Sequence, residues 1–265
     1  MKVGVSTASL FLRQDNEDAV ATLNALGVEV AEVFLTSFSE YKPSFGRLLA
    51  ERKGELCVHS VHILNTQIEP QLFNRHHRVR EDSYAALADV MTTAQILGAK
   101  YYTFHGGARF KKASRNPAGD DFHRLGECLL EASNFCKGYG VTLCLENVEW
   151  STYNRPSVFS ALKEYVPDLK GVLDIKQARI AGQGYLPYLK EMGRDIATVH
   201  LSYVDERGKM CLPGKGVFDF ETLIKQLQDV GFDGALLIEA YKDDYEKIDE
   251  LKHSCEALQE ILYKL

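Results

Sequence analysis

Apolar positions along this chain follow two rhythms that alternate from one end to the other. Short runs rich in β-branched and aromatic residues have the length and composition of strands. They are KVGVST (2–7), VEVAEVFL (28–35), LCVHSVHI (56–63), KYYTFHG (100–106), VTLCLEN (141–147), KGVLDI (170–175), IATVHLS (196–202) and GALLIEA (234–240). Between them lie longer segments whose apolar residues recur at helical spacing: NEDAVATLNALG (16–27), RVREDSYAALADVMTTAQILG (78–98), DDFHRLGECLLEASNFCKGYG (120–140), FDFETLIKQLQDVG (218–231) and YEKIDELKHSCEALQEILYKL (245–265). Several open on Asp or Asn near the N-cap and stop at Gly27, Gly98, Gly140 or Gly231, the residue types that start and end helices. Helices after the second, fifth and sixth strands carry weaker signals.

Strand and helix alternating through 265 residues predict a parallel sheet with crossover helices, and eight such units are the number that closes a barrel. The expected fold is therefore α/β, a single (β/α)8 TIM barrel occupying residues 1–265 as one domain. An open doubly wound sheet would carry a glycine-rich turn after its first strand. Here that turn reads VSTASLF, without GxGxxG.

Alternate residues of a barrel strand face the axis and the helix layer. In VTLCLEN the aliphatic parity of Val141, Leu143 and Leu145 suits the helices, which turns Glu146 inward at the strand's C-terminal end. By the same assignment Ala197, Val199 and Leu201 point outward and His200 inward, while Leu236, Ile238 and Ala240 point outward and Glu239 inward. Asp174, His105 and His62 follow Val172, Thr103 and Ser60 inward, and Glu32 lands inward between Val30 and Phe34 on a strand apolar on both faces. Seven ionisable side chains on seven strands thus converge on the C-terminal mouth, the face where barrel enzymes keep their active sites. Taken alone, a strand-end carboxylate is usually solvated or caps the next helix, and a lone strand histidine is usually a hydrogen-bonded core residue. Several carboxylates brought into one mouth instead repel one another and call for a cation.

Glu146, Asp174, His200 and Glu239 together offer three carboxylates and one imidazole. Oxygen-rich ligation of this kind suits one divalent cation per chain, Mn²⁺, Mg²⁺ or Co²⁺, with Zn²⁺ also compatible; cysteine-free ligation argues against a structural zinc. Trp150, Phe110 and Tyr241 follow strands five, four and eight as candidate pocket walls, although ordinary loop packing accounts for them equally well. Gly106, Gly107, Gly214 and Gly216 allow tight turns at the mouth. The basic cluster of Arg75, His76, His77, Arg78 and Arg80 reads as a solvated helix start.

Composition narrows the function classes. The 45% hydrophobic and 26% charged fractions are those of an ordinary globular protein, and a net charge of −6 gives no broad electropositive footprint, so nucleic acid is not expected as a partner. Six cysteines without a CxxC pair read as reduced thiols. No membrane span or signal-peptide stretch is present, and the expected location is the cytoplasm.

In order and spacing, LCLENV (143–148), GVLDIKQA (171–178), VHLSYVD (199–205), LPGKGVFDF (212–220) and LLIEAY (236–241) resemble the xylose isomerase-like barrel superfamily of sugar isomerases and epimerases, which also contains endonuclease IV. The resemblance implies that Glu146, Asp174, His200 and Glu239 are a single-metal ligand set, with Glu146 and Glu239 doubling as the catalytic acid/base pair. It implies a small carbohydrate substrate, a sugar, sugar phosphate or sugar acid, and association into dimers or tetramers.

His62 and His105 match two histidines that hold additional zinc ions in endonuclease IV. Gln177 stands where the family usually has a substrate-touching histidine, and no histidine occurs between His200 and His253, where the endonuclease needs one; Met210 or Cys211 takes its place. A three-zinc phosphodiesterase site is therefore incomplete, while the one-metal isomerase set is intact. A lyase or dehydratase using the same enolate chemistry is a third reading. His62, His105, Gln177, Arg207 and Trp150 are the candidate substrate-binding residues, Arg207 because it lies near the position of a substrate-binding arginine in related epimerases.

Overall fold

A computed structural model of the protein describes residues 1–64, 68–109 and 120–265. Eight parallel strands close into a barrel: β1 (Lys2–Ser6), β2 (Val30–Leu35), β3 (Cys57–Ile63), β4 (Tyr101–Phe104), β5 (Thr142–Glu146), β6 (Lys170–Asp174), β7 (Ile196–Leu201) and β10 (Ala235–Ile238). β10 pairs with β1 at one side and β7 at the other, so no barrel edge is left open. The expected (β/α)8 architecture is the one observed.

The helices that the sequence marks most clearly form as α1 (Asn16–Ala25), α3 (His77–Leu97), α4 (Asp120–Lys137), α8 (Phe220–Asp229) and α9 (Asp249–Lys264). Gly98 ends α3 in the left-handed conformation, φ 72°, its N–H turning back to the carbonyls of Ala94 and Gln95. The weaker segments also become helices: α2 (Pro43–Arg52) with proline in its first turn, α5 (Ser157–Lys163), and two short helices where one was expected, α6 (Ile175–Ile180) and α7 (Tyr185–Met192). Among the described residues no helix is long and apolar enough to cross a membrane. All six cysteines are free thiols.

The outward parity holds for most strands, since Val199, Leu201, Leu236, Ile238 and Ala240 join the main core between barrel and helices. Ala197 departs from it. The β6–β7 register slips from Gly171↔Ile196 to Val172↔Thr198, which places an extra residue on β7, and Ala197 packs with inward-facing Cys144 and Val172. A small hairpin, β8 (Tyr203–Val204) with β9 (Met210–Cys211), follows β7 and was not expected as strands. Its turn is made by Asp205, whose carboxylate accepts the N–H groups of Arg207 at 2.8 Å and Lys209 at 2.9 Å, and by Gly208 at φ 80°.

Candidate functional site

The site begins at the ends of four adjacent barrel strands. Glu146 and Asp174 are the last residues of β5 and β6, His200 is the penultimate residue of β7, and Glu239 directly follows β10. The chain fixes these ends locally. Asn147 donates its Nδ2 to the Asp174 carbonyl at 2.8 Å, while its Oδ1 accepts the Asp174 N–H at 2.8 Å, a reciprocal pair that ties β5 to β6 just where both carboxylates emerge. Asp174 Oδ1 then caps α6 by accepting the Gln177 N–H at 2.7 Å.

All four side chains are buried, and one ligand atom from each lies within 4.8 Å of the others. His200 Nδ1 sits 3.0 Å from Glu146 Oε1 and 3.1 Å from Glu239 Oε2. Its Nε2 has no hydrogen-bond partner of good geometry, although Glu32 Oε1 stands 3.2 Å away, behind the ring from the ligand set. A carboxylate behind an imidazole is the arrangement that orients ligating histidines.

The charge balance is unresolved by the protein alone. Burial pushes the Asp174 carboxyl up to about 7, and Glu146 and Glu239 push it in the same direction against the pull of Lys176. Burial also opposes ionisation of Glu239, but His200 and Lys176 outweigh it and hold that carboxyl below its ordinary range. His200 is raised well above an ordinary histidine because the Glu239 and Glu32 charges outweigh its burial. Protons are thus recruited to offset crowded carboxylates, which is the situation a divalent ion relieves. The donor set fits a hard or borderline divalent cation: three carboxylates, one imidazole and no thiol.

The other side of the mouth is built differently. Glu32 is fully buried and accepts from Ser6 Oγ at 3.1 Å, Ser60 Oγ at 2.8 Å and Thr103 Oγ1 at 2.6 Å, with His62 Nδ1 at 3.2 Å. Glu69, from the turn after β3, accepts from Tyr102 Oη at 2.7 Å and from the backbone N–H and Nδ1 of His105, both at 3.0 Å. The two imidazoles therefore present Nε2 atoms to each other, 2.9 Å apart. Burial disfavours charge on His62, but Glu32, Glu146 and Glu239 outweigh it and raise it to about 9, so a proton on His62 fills that contact. Glu146 links the two sides, with Oε2 at 3.5 Å from His105 Nε2 and 3.9 Å from His62 Nε2.

Over this floor opens a pocket of about 300 Å³, at the small end of the roughly 300–1,000 Å³ range of ligand sites. Phe11, Phe34, Val148, Trp150 and Tyr241 form its apolar walls, and Gln177 lines it with Oε1 accepting the Glu149 N–H at 3.3 Å. His62, His105 and Gln177 are thus brought to the ligand set, as is Trp150, whose ring lies 5.2 Å from that of His105. Arg207 is not: it is exposed on the β8–β9 turn and outside the pocket lining, because Asp205 curls that turn onto itself. Phe110 lies outside the described residues.

Three residues of the site were not singled out by sequence. Asn147 clamps two strands, and Glu69 sits in a 3-10 turn whose EPQLF sequence gives no sign of burial. Lys176 is the third. It is buried in the first turn of α6, with Nζ 3.9 Å from both Asp174 Oδ2 and Glu239 Oε2 and 4.3 Å from the centre of the Tyr241 ring. Burial opposes its charge, but Asp174 and Glu239 outweigh that and hold its pKa above the usual lysine range. A lysine two residues beyond a strand-end aspartate was the available signal.

Fold and site together define a class: a closed (β/α)8 barrel with a buried carboxylate–imidazole cluster at its C-terminal mouth. The chain belongs to the xylose isomerase-like TIM barrel family, whose model matches residues 18–261. No curated protein matches the sequence. Among solved structures the fold is similar to that of a D-tagatose 3-epimerase-like protein, at 21% identity and a TM-score of 0.77 over 100% of this chain and 98% of that one. It is also similar to D-psicose 3-epimerase from Clostridium cellulolyticum H10, at 17% identity and a TM-score of 0.77 over 99% of each chain. A third similar fold is 3-keto-D-glucoside 4-epimerase from E. coli, at 13% identity and a TM-score of 0.73 over 98% of this chain and 99% of that one.

Proposed function

We propose that the protein is a divalent-metal-dependent sugar isomerase or epimerase. The observation that carries this reading is the buried set Glu146, Asp174, His200 and Glu239, with ligand atoms within 4.8 Å of one another, at the floor of a sugar-sized pocket. Family membership and the likeness to sugar 3-epimerases support it. Those four residues would hold one Mn²⁺, Mg²⁺ or Co²⁺ ion, with Zn²⁺ also compatible. The chemistry such an ion supplies when bound is stabilisation of negative charge on a substrate carbonyl oxygen, which lowers the cost of an enediolate.

The remaining chemistry belongs to the chain. Glu146 and Glu239 approach His200 Nδ1 from β5 and β10, which are separated by two strands of the barrel. One carboxylate removes and keeps the proton next to the carbonyl while the other, entering the step protonated, delivers its own proton to the opposite face, giving epimerisation; one carboxylate carrying a proton between neighbouring carbons gives isomerisation. Gln177 binds a substrate hydroxyl and His62 and His105 line the pocket beside it, while Phe34, Trp150 and Tyr241 pack against the sugar and exclude water.

An endonuclease IV-like phosphodiesterase is disfavoured, because Met210 and Cys211 lie in the β8–β9 hairpin and Gln177 replaces a histidine. The test is a panel of ketoses incubated in deuterated water with Mn²⁺, Co²⁺ or Mg²⁺. Exchange of the α-proton that stops on chelation is expected. Lack of exchange from every ketose, or exchange that chelation leaves unchanged, overturns the reading.

A further inference from the structure

Among the described residues the pocket is lined by one lysine, Lys176, and no arginine. An ammonium carries three donors and is costly to bury unless they are met. Here the nearest carboxylate oxygens, Asp174 Oδ2 and Glu239 Oε2, are both 3.9 Å from Nζ, attractive in charge but beyond hydrogen-bond distance. The Tyr241 ring covers one side at 4.3 Å. The lysine is therefore held in place by charge and by Tyr241, makes no hydrogen bond to either carboxylate, and lines the pocket where an entering group would meet it.

Its charge also changes what the pocket accepts. Glu146, Asp174 and Glu239 bring three negative charges, which a divalent ion offsets by two, and Lys176 supplies the third positive charge. Glu32 is matched by His62 at 3.2 Å. An anionic group entering such a site meets a floor one charge less negative than it would meet without the lysine. A neutral ketose needs no such balance.

We propose that Lys176 is a specificity-determining residue whose ammonium grips an anionic oxygen group, carboxylate or phosphate, on the substrate, so that the site takes an acidic sugar in preference to a neutral ketose. This rests on the sugar-converting reading above.

Trp150 is the only tryptophan in the sequence and lines the pocket, so its fluorescence reports occupancy without any turnover. The Mg²⁺-loaded protein is titrated with D-fructose, D-fructuronate and D-fructose 6-phosphate, alongside Lys176→Met and Lys176→Arg variants whose melting and Mg²⁺ content show that they are folded and loaded. A charge-assisted hydrogen bond predicts that one of the two acidic sugars binds about 10- to 100-fold more tightly than fructose, and which one does so distinguishes carboxylate from phosphate. Lys176→Met is expected to erase that preference and Lys176→Arg to retain part of it. Equal binding of all three sugars, or a Lys176→Met effect that weakens all three alike, overturns the assignment while leaving the sugar reading intact. Absence of binding by all three, together with absence of solvent exchange in the ketose panel, overturns both.

Discussion

The two sides of the barrel mouth use the same residue types to opposite ends. On the β2–β4 side, Glu32 and Glu69 each take three or four donors, and the histidines they meet are fixed in orientation. On the β5–β10 side, Glu146, Asp174 and Glu239 crowd around one imidazole and one ammonium, and Asp174 is pushed up to about 7 by burial and its acidic neighbours. A carboxylate surrounded by donors is content in the folded protein and serves as scaffold. A carboxylate surrounded by carboxylates needs an offsetting charge, and that need marks where the proposed ion would sit.

The sharpest way to break this comparison is to neutralise one residue on the crowded side. Glu146→Gln or Glu239→Gln is expected to slow ketose α-proton exchange by about 10²- to 10⁴-fold, the usual worth of a positioned acid or base, in a deuterium-exchange assay read by NMR. Exchange within a factor of a few of wild type in both variants would remove these glutamates from the chemistry.

Next in size is the response to the ion itself. Mn²⁺ at about 100 times its dissociation constant stabilises a protein that binds it only when folded by roughly 2.7 kcal/mol, which for a chain of this length is a rise in Tm of roughly 5–10 °C. Asp174→Asn should abolish that rise. Glu69→Gln, on the satisfied side, should lower the starting Tm, because replacing the acceptor of Tyr102 and His105 costs about 1–3 kcal/mol, yet leave the Mn²⁺ response in place. A Glu69→Gln protein that melts normally but no longer responds to Mn²⁺ would merge the two sides into one.

Much of this was legible in the sequence, and the remainder was hidden for identifiable reasons. Period-two alternation placed Glu146, Asp174, His200 and Glu239 on inward parity because their strands carry a clean aliphatic outer face, as in Val199 and Leu201 or Leu236 and Ile238. β2 is buried on both faces, so parity said little about Glu32, whose partners Ser6, Ser60 and Thr103 come from three other strands. Ala197 escaped because a bulge breaks the alternation locally, and no single-strand pattern records a register shift between two strands. Glu69 and Lys176 lie outside strands, where side-chain direction depends on how a turn docks, and sequence spacing does not encode that.

A carboxylate remote from the mouth calibrates the contrast, and its effect is expected to be the smallest. Asp195, just before β7, pairs with Lys163 at the end of α5 and with Lys170 of β6 at 3.1 Å. Burial opposes its ionisation, but hydrogen bonds from the two lysines outweigh it and its pKa is lowered. With the folded pKa below the unfolded value of about 3.9, the pair's contribution is fully present above that value and is lost as pH falls through the lower folded one. Asp195→Asn should therefore cost no more than about 1 kcal/mol at neutral pH, as expected of a partly exposed pair, and its difference from wild type should vanish in urea melts at the acid end. Asp174 has the opposite sign, its carboxyl being raised, so ionising it near neutral pH without a cation costs stability that the Asp195 pair does not lose. If urea melts of the metal-free protein gave Asp174→Asn and Asp195→Asn the same pH dependence, the crowding at the mouth would carry no energetic weight, and the case for an ion there would rest on geometry alone.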